Sequence, residues 1–367
     1  MFFALTEEQC ALRDAVTTLL ANRFPPSIVR RIYDEEEDTD SGWTTIWRAL
    51  AELGALSVLI PEEFDGLGLN VLDGAVVARC LGAGIIPGPY LPTLIAAEAI
   101  RLAGSPQQRA TWLPQVSSGR VVLALAFGQV GGGWDAAGLG FRADRNILRG
   151  AVSHSEYADV AEVIVVGARG DTDVCLFLVD RTDPGVIISP AEALDRTTRF
   201  ATVTLNSVRA EPLPGGSHEV FSSIVDLGAV LYANDLVGLA REALARTVQY
   251  ALARIQFGQP IGSFQAVKHA LADLHVAVNM AEHLSLYAAH AIDEDLSNTR
   301  LAVSAAKAKA SDVARLATFE MVQSHGAIAC TWDHEAHVYI RRAKRGEYAF
   351  GDTIWHRERI GEILIKT

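Results

Sequence analysis

The chain reads as an α+β protein with a helical N-terminal domain, a small middle β domain and a C-terminal four-helix bundle. Two observations carry this. Apolar residues recur at helical spacing before residue 118 and again after residue 219, and between them short runs rich in Val, Ile and Leu alternate with Gly, Asp and Pro. The 367 residues are enough for two or three structural units, which we place at 1–118, 119–216 and 217–367.

In the first unit Thr6 is positioned to cap a helix whose first turn carries Glu7, Glu8 and Gln9. Leu5, Leu12, Val16, Leu19 and Leu20 form its apolar stripe. The acidic run from Asp34 to Asp40 reads as a solvated helix end and loop. A second helix runs from Trp43 to Leu53, followed by a loop over 54–69. Strands are expected at 121–127, 163–166, 174–179, 186–188 and 201–205, ending at the Pro/Gly stretch 212–216. Helices are expected at 219–254, 264–292, 298–325 and 334–348, with Ser263, Asn298 and Asp333 as caps.

Composition excludes several function classes. A net charge of −12 argues against nucleic acid or an anionic membrane surface as the main partner. It also means that an anionic ligand must be held by local cations. Cys10, Cys80, Cys175 and Cys330 are widely spaced, which reads as free thiols in a reducing, cytoplasmic setting. No basic, then apolar, leader opens the chain, and apolar tracts such as 121–127 are too short to span a bilayer.

The densest functional signal is Arg254-Ile255-Gln256-Phe257-Gly258-Gln259-Pro260-Ile261-Gly262-Ser263-Phe264-Gln265. It reads as a helix end with a fixed cation, a Gly/Pro turn and a new helix. A guanidinium there has the fork geometry to grip a diphosphate, with Gln256 and Gln265 as neutral donors and Phe257 as an aromatic wall. The segment resembles the R-x-x-FG-x-x-I-x-x-FQ signature of the acyl-CoA dehydrogenase family. Gln323-Ser324-His325-Gly326-Ala327-Ile328 resembles that family's Q-x-x-G-G/A turn, and Pro61-Glu62-Glu63-Phe64-Asp65-Gly66-Leu67-Gly68 resembles a loop of its N-terminal domain. Thr331-Trp332-Asp333-His334-Glu335-Ala336-His337-Val338-Tyr339-Ile340-Arg341-Arg342 looks like a subgroup acting in actinobacterial steroid side-chain breakdown, many members of which have two unlike subunits.

The resemblance implies FAD as cofactor, an acyl-CoA substrate, and electron-transfer flavoprotein or a similar acceptor. It assigns Arg254, Gln256, Phe257, Gly258, Phe264, Gln265, Gln323, His325, Gly326 and Ala327 to the diphosphate and adenosine end of a flavin bound mainly by a neighbouring chain. It implies no metal, so Asp333, His334 and His337 read as a helix start. Arg341, Arg342, Lys344 and Arg345 look like a nuclear signal, but in so acidic a chain they read as a solvated helix face.

The chain departs from the family at the base. Phe350, in Phe350-Gly351-Asp352, stands where the family's Glu-Gly-Thr turn has its glutamate, and Gly228 stands where a minority of members carry it. Neither accepts a proton, so no catalytic residue is assigned. Asp352 is the substitute considered first, with Asp226, Asp235 and Glu347 nearby in sequence. The family's T-E-P-x-x-G-S-D stretch is reduced to Gly131-Gly132-Gly133-Trp134-Asp135, and its K-x-W/F-I-T-N stretch to Gly150-Ala151-Val152-Ser153-His154-Ser155. The pattern resembles the smaller subunit of a heteromeric, α2β2-type acyl-CoA dehydrogenase whose partner brings the glutamate. Two alternatives stay open: a self-sufficient acyl-CoA or acyl-carrier-protein dehydrogenase with a displaced base, and a structural partner without flavin contacts.

Overall fold

A computed structural model describes residues 5–34, 39–128, 134–170 and 173–365. Most of the acidic run and the Gly131–Gly133 stretch therefore lie outside the described residues. The helical N-terminal part contains α1 (Glu7–Arg23), α2 (Pro26–Tyr33), α3 (Thr39–Glu52), α4 (Val71–Ala83), α5 (Tyr90–Ala103) and α6 (Pro106–Ser117). Thr6 makes the expected capping box: its hydroxyl accepts from the Gln9 amide, and the Gln9 side chain accepts from the Thr6 amide. The loop after α3 is an ordered coil. Leu67, Gly68 and Leu69 donate back to the carbonyls of Ser57, Ile60 and Val58. Gly66 is required there, because a Cβ would lie 1.8 Å from the Ile60 oxygen.

The β region holds β1 (Leu123–Ala126), β2 (Phe141–Asp144), β3 (Ile147–Glu156), β4 (Val163–Arg169), β5 (Val174–Asp180), β6 (Val186–Ala191), β7 (Phe200–Arg209) and β8 (Glu211–Pro212). They form one sheet of order β6-β7-β3-β2-β4-β5-β8, with β1 added in parallel beside β4. All five expected strands are present. The sequence reading missed β2, β3 and β8. In β3 only Leu148, Val152 and Ser155 are buried, so it lacks the continuous apolar run that marks β4 and β5.

The C-terminal part consists of α7 (His218–Ala253), α8 (Gln265–Asp293), α9 (Thr299–His325), α10 (Ala336–Tyr348) and α11 (Thr353–Ile365). Between α7 and α8 lies a two-stranded hairpin, β9 (Ile255–Gln256) and β10 (Gln259–Pro260). The four expected helices are α7 to α10, and α11 is an additional helix packed on α9. The most apolar 18-residue window of α7 has a mean hydropathy of 1.4, enough by length and composition to cross a membrane. It is longer than the apolar tracts such as 121–127 noted in the sequence. Because 83% of that window is buried, α7 reads as a core helix.

The expected caps are not made. Ser263 donates to the Pro260 carbonyl, Asn298 bonds the Tyr287 hydroxyl, and α10 is preceded by Glu335 without a side-chain cap. The basic face is also corrected: Arg342 is buried against Asp235 rather than solvated.

By contact density the chain forms two compact units, one of residues 1–30, 71–86 and 229–367, the other of 31–70 and 87–228. In the first, α9 lies centrally and packs on α8, α10 and α11. Its buried face is largely alanine, including Ala302, Ala306, Ala310, Ala314 and Ala317, which lets neighbouring helices approach closely.

Candidate functional site

Helix α7 ends at Ala253, and Arg254 follows with its backbone carbonyl accepting from Ile261. Gln256 pairs with Gln259, leaving Phe257 and Gly258 as a two-residue turn with φ of 51° and 77°. Positive φ at both central positions is the geometry that matches strand twist in a tight hairpin. Glycine adopts it freely. For phenylalanine the left-handed region costs about 1–2 kcal/mol. Phe257 is nevertheless 93% exposed, and its ring meets only the edge of Phe264, 6.2 Å away between centroids. Gly262 seats the turn on α7, where a Cβ would lie 3.0 Å from the Ala251 oxygen.

Arg254, Gln256, Phe257, Gly258 and Gln265 are all exposed. Among the described residues, the Arg254 guanidinium and the side-chain amides of Gln256 and Gln265 have no hydrogen-bond partner. Arg254 and Gln256 stand on one side of the hairpin turn, and Gln265 opens the helix that follows it.

The second segment lies at the same end of the helices. The Tyr250 ring, on the last turn of α7, stacks on His325 at 4.1 Å. His325 closes α9, and its Nδ1–H donates to the Met321 carbonyl, 2.7 Å. The imidazole is thus a buried wedge between helix ends. Gly326 then turns the backbone at φ 68°, and a Cβ there would meet nothing within 4 Å. Gln323, Gly326 and Ala327 are exposed.

These residues fit the diphosphate and adenosine end of FAD. They offer a fixed cation, amide donors without protein partners, an exposed ring, and two positive-φ glycines that leave space for close approach. Of the isoalloxazine stretch, Asp135 accepts from the Gly138 amide, and the Gly150–Ser155 segment lies in β3 with its register to β7 broken between Val152 and Ser155.

The turn between α10 and α11 is built as a rigid plug. Phe350 has φ 55° and is buried, its ring 5.5 Å from Tyr232. Gly351, at φ 99°, is required because a Cβ would lie 2.5 Å from the Trp355 ring. Lys307 is fully buried on α9, and its ammonium donates to the Glu347 and Gly351 carbonyls at 2.9 and 2.8 Å and to Ser311 at 3.3 Å. Burial pulls this amine down to about 7, against the pull of Glu347 and Asp352. His356 Nε2–H donates to the Phe350 carbonyl, 3.0 Å, and burial, with Lys307 pushing the same way, holds the imidazole neutral down to about 2. The sequence reading missed both; buried basic side chains leave no signature in spacing.

The carboxylates near this turn are committed elsewhere. Asp352 accepts from the Trp355 amide, 2.8 Å, at the start of α11. Asp235 is fully buried in a fork with Arg342, Nη2 to Oδ1 at 2.7 Å and Nε to Oδ2 at 3.3 Å. Glu347 pairs with Lys344 at 2.9 Å. His334 and His337 belong to local contacts: His334 Nδ1 accepts from the Ala336 amide, and His337 stacks on Trp332 at 4.6 Å.

Residues 6–120 match the family profile "Acyl-CoA dehydrogenase, N-terminal domain" and residues 205–365 match "Acyl-CoA dehydrogenase, C-terminal domain". The chain is 32% identical over 342 residues to the acyl-CoA dehydrogenase IpdE2 of Mycobacterium tuberculosis, covering 92% of this chain and 91% of that protein. The ChsE4-ChsE5 complex from Mycobacterium tuberculosis contains a chain 28% identical that superposes with a TM-score of 0.91 over the full length of both. A chain of a variant of the Tcur3481-Tcur3483 steroid ACAD superposes with a TM-score of 0.90 at 28% identity, covering 98% of each. The family is FAD-dependent. The chain belongs to the acyl-CoA dehydrogenase family.

Proposed function

We propose that this chain is one subunit of an FAD-dependent acyl-CoA dehydrogenase that acts only when joined to a second, unlike acyl-CoA dehydrogenase subunit, in an α2β2 arrangement. The observation that carries the reading is the contrast between two sites. The hairpin from Arg254 to Gln265 presents an unpartnered guanidinium and amides to the outside. The turn that would carry the base holds a buried phenyl ring. Each half of the chemistry then falls to a different chain.

In this reading Arg254 forks onto the diphosphate, Gln256 and Gln265 donate beside it, and Phe257 and Phe264 wall the bound group. Gln323, Gly326 and Ala327 approach the adenosine through backbone, with His325 wedged behind them. FAD, when bound, supplies the hydride acceptor for α,β-dehydrogenation of an acyl thioester. The partner brings the glutamate that removes the α proton. Steroid side-chain CoA is the proposed substrate class, supported by the likeness to the Tcur3481-Tcur3483 steroid ACAD. Electron-transfer flavoprotein or a similar protein takes the electrons, in the cytoplasm. In this reading residues 1–118, 119–216 and 217–367 serve as helical, β and bundle modules.

The test is Arg254→Ala in the co-purified assembly. Removing one side of a desolvated charge pair costs about 2–5 kcal/mol, so the variant assembly is expected to lose flavin on gel filtration. Full retention of flavin would leave Arg254 outside the cofactor site and favour a purely structural role for the chain.

A further inference from the structure

A cavity of about 420 Å³ lies within the first compact unit, bounded by α1, the C-terminal end of α4, the middle of α7 and the first turns of α10. This volume falls in the range of about 300–1,000 Å³ seen for small-molecule sites. The walls are mainly apolar, with Leu20, Phe24, Val29, Ile85, Val338 and Tyr339 contributing. None of the residues assigned to the flavin half-site lines it. Three residues of the Thr331–Arg342 motif do: Glu335, Val338 and Tyr339. The cavity gives that segment a role the flavin reading leaves unassigned.

Charge on the lining is uneven. At one end Arg79 and Arg241 share a single carboxylate, Glu282, with Arg79 Nη1 at 2.8 Å and the Arg241 guanidinium on the other oxygen. Arg79 Nη2 donates to Asn234 at 2.7 Å, and its Nε is buried without a partner. Burial, together with the neighbouring Arg241, disfavours the charged form of Arg79. Arg13, also on the lining, is paired with Asp14, so this end holds three guanidiniums against two carboxylates and keeps an unanswered donor. At the other end Arg246 is answered by Glu242 and Glu335 and lies over the Tyr339 ring at 5.5 Å. Arg30, also on the lining, bonds His337 and the Trp332 carbonyl, so both guanidiniums at that end are answered.

We propose that this cavity binds an amphipathic monocarboxylate, with its apolar body among Leu20, Phe24, Ile85 and Val338 and its carboxylate at the Arg79–Arg241 end. One anionic head satisfies the single positive charge in excess there, while a dianionic phosphate would leave a negative charge unanswered. The site is separate from the flavin half-site and does not depend on it.

The test is calorimetric titration of the full-length chain, with its partner subunit where they co-purify, using decanoate as probe. Decanol and decyltrimethylammonium are the controls. Saturable decanoate binding is expected, with both controls weaker by at least about tenfold. Arg241→Ala, at a half-exposed position on α7, is expected to weaken decanoate by a similar factor. Ala83→Phe and, independently, Ala21→Trp fill the cavity and are expected to abolish binding with flavin content unchanged, as read from absorbance. Absence of saturable binding, equal binding of the ammonium control, or decanoate binding that survives both filled variants would overturn the proposal. The last result would place the probe elsewhere in the protein.

Discussion

The Phe350 ring lies 5.5 Å from that of Tyr232, at the turn position where the family resemblance places a glutamate. The relationship is more than the loss of a base. The same turn is pinned from behind by Lys307 and from below by His356, both through backbone carbonyls. A turn held this way keeps its shape whether or not it carries a reactive group.

Restoring the acid should therefore harm the fold without creating an enzyme. Phe350→Glu places an ionisable group in a site packed for an aromatic ring, at an expected cost of about 2–4 kcal/mol. Chemical denaturation measures the loss, and the lone variant is expected to show no acyl-CoA dehydrogenation.

The Asp235–Arg342 fork is the second internal charge, its side chains 0% and 4% exposed. Asp235→Asn or Arg342→Met alone leaves a buried group unanswered and is expected to cost about 3–5 kcal/mol. The double variant is expected to cost clearly less than the sum. Additive losses in a double-mutant cycle would show that the two side chains act independently.

His356 sets an acid limit. Its folded value, about 2, lies below the ordinary 6.5, so below that pH the unfolded chain binds a proton that the native chain refuses. Stability is fully present above 6.5 and falls with pH beneath it, by up to about 1.4 kcal/mol per pH unit from this group. Comparing denaturation midpoints of wild type and His356→Gln between pH 7 and 5 isolates the slope, which the variant is expected to lack.

Phe257 combines a left-handed backbone with an exposed ring. Asparagine tolerates the left-handed backbone better than phenylalanine, so Phe257→Asn is expected to stabilise the free chain by up to about 1 kcal/mol. In the assembly the same variant is expected to release flavin faster, because the exposed ring is lost. Unchanged flavin dissociation would remove Phe257 from the cofactor wall.

Much of this was legible in the sequence, for identifiable reasons. The helices α7 to α10 are long enough for periodicity to average out local exceptions, and β4 and β5 are continuous apolar runs. The helix end, turn and new helix over Arg254–Gln265 could be read because Gly258 and the Gly/Pro run mark the turn locally. What stayed hidden was tertiary. Arg342 has the same neighbours in sequence as the solvated Lys344, and only the arrival of Asp235 from α7 distinguishes them. Asp352 caps α11, a helix the periodicity missed. Lys307 sits among alanines and small residues of α9, where nothing local marks it as the pin of a distant turn. Ser263, Asn298 and Asp333 show the opposite failure: good capping residues whose side chains are directed to other partners or left unused as caps.

The most direct measurement of the central claim is flavin content per chain, from the visible absorbance of this protein purified alone and then purified with an acyl-CoA dehydrogenase-like partner. A shared site predicts a colourless, inactive lone chain and an active assembly with about one flavin per two chains. A lone chain that carries one flavin each and turns over acyl-CoA would contradict it, and would mean that a base within this chain does the work assigned to its partner.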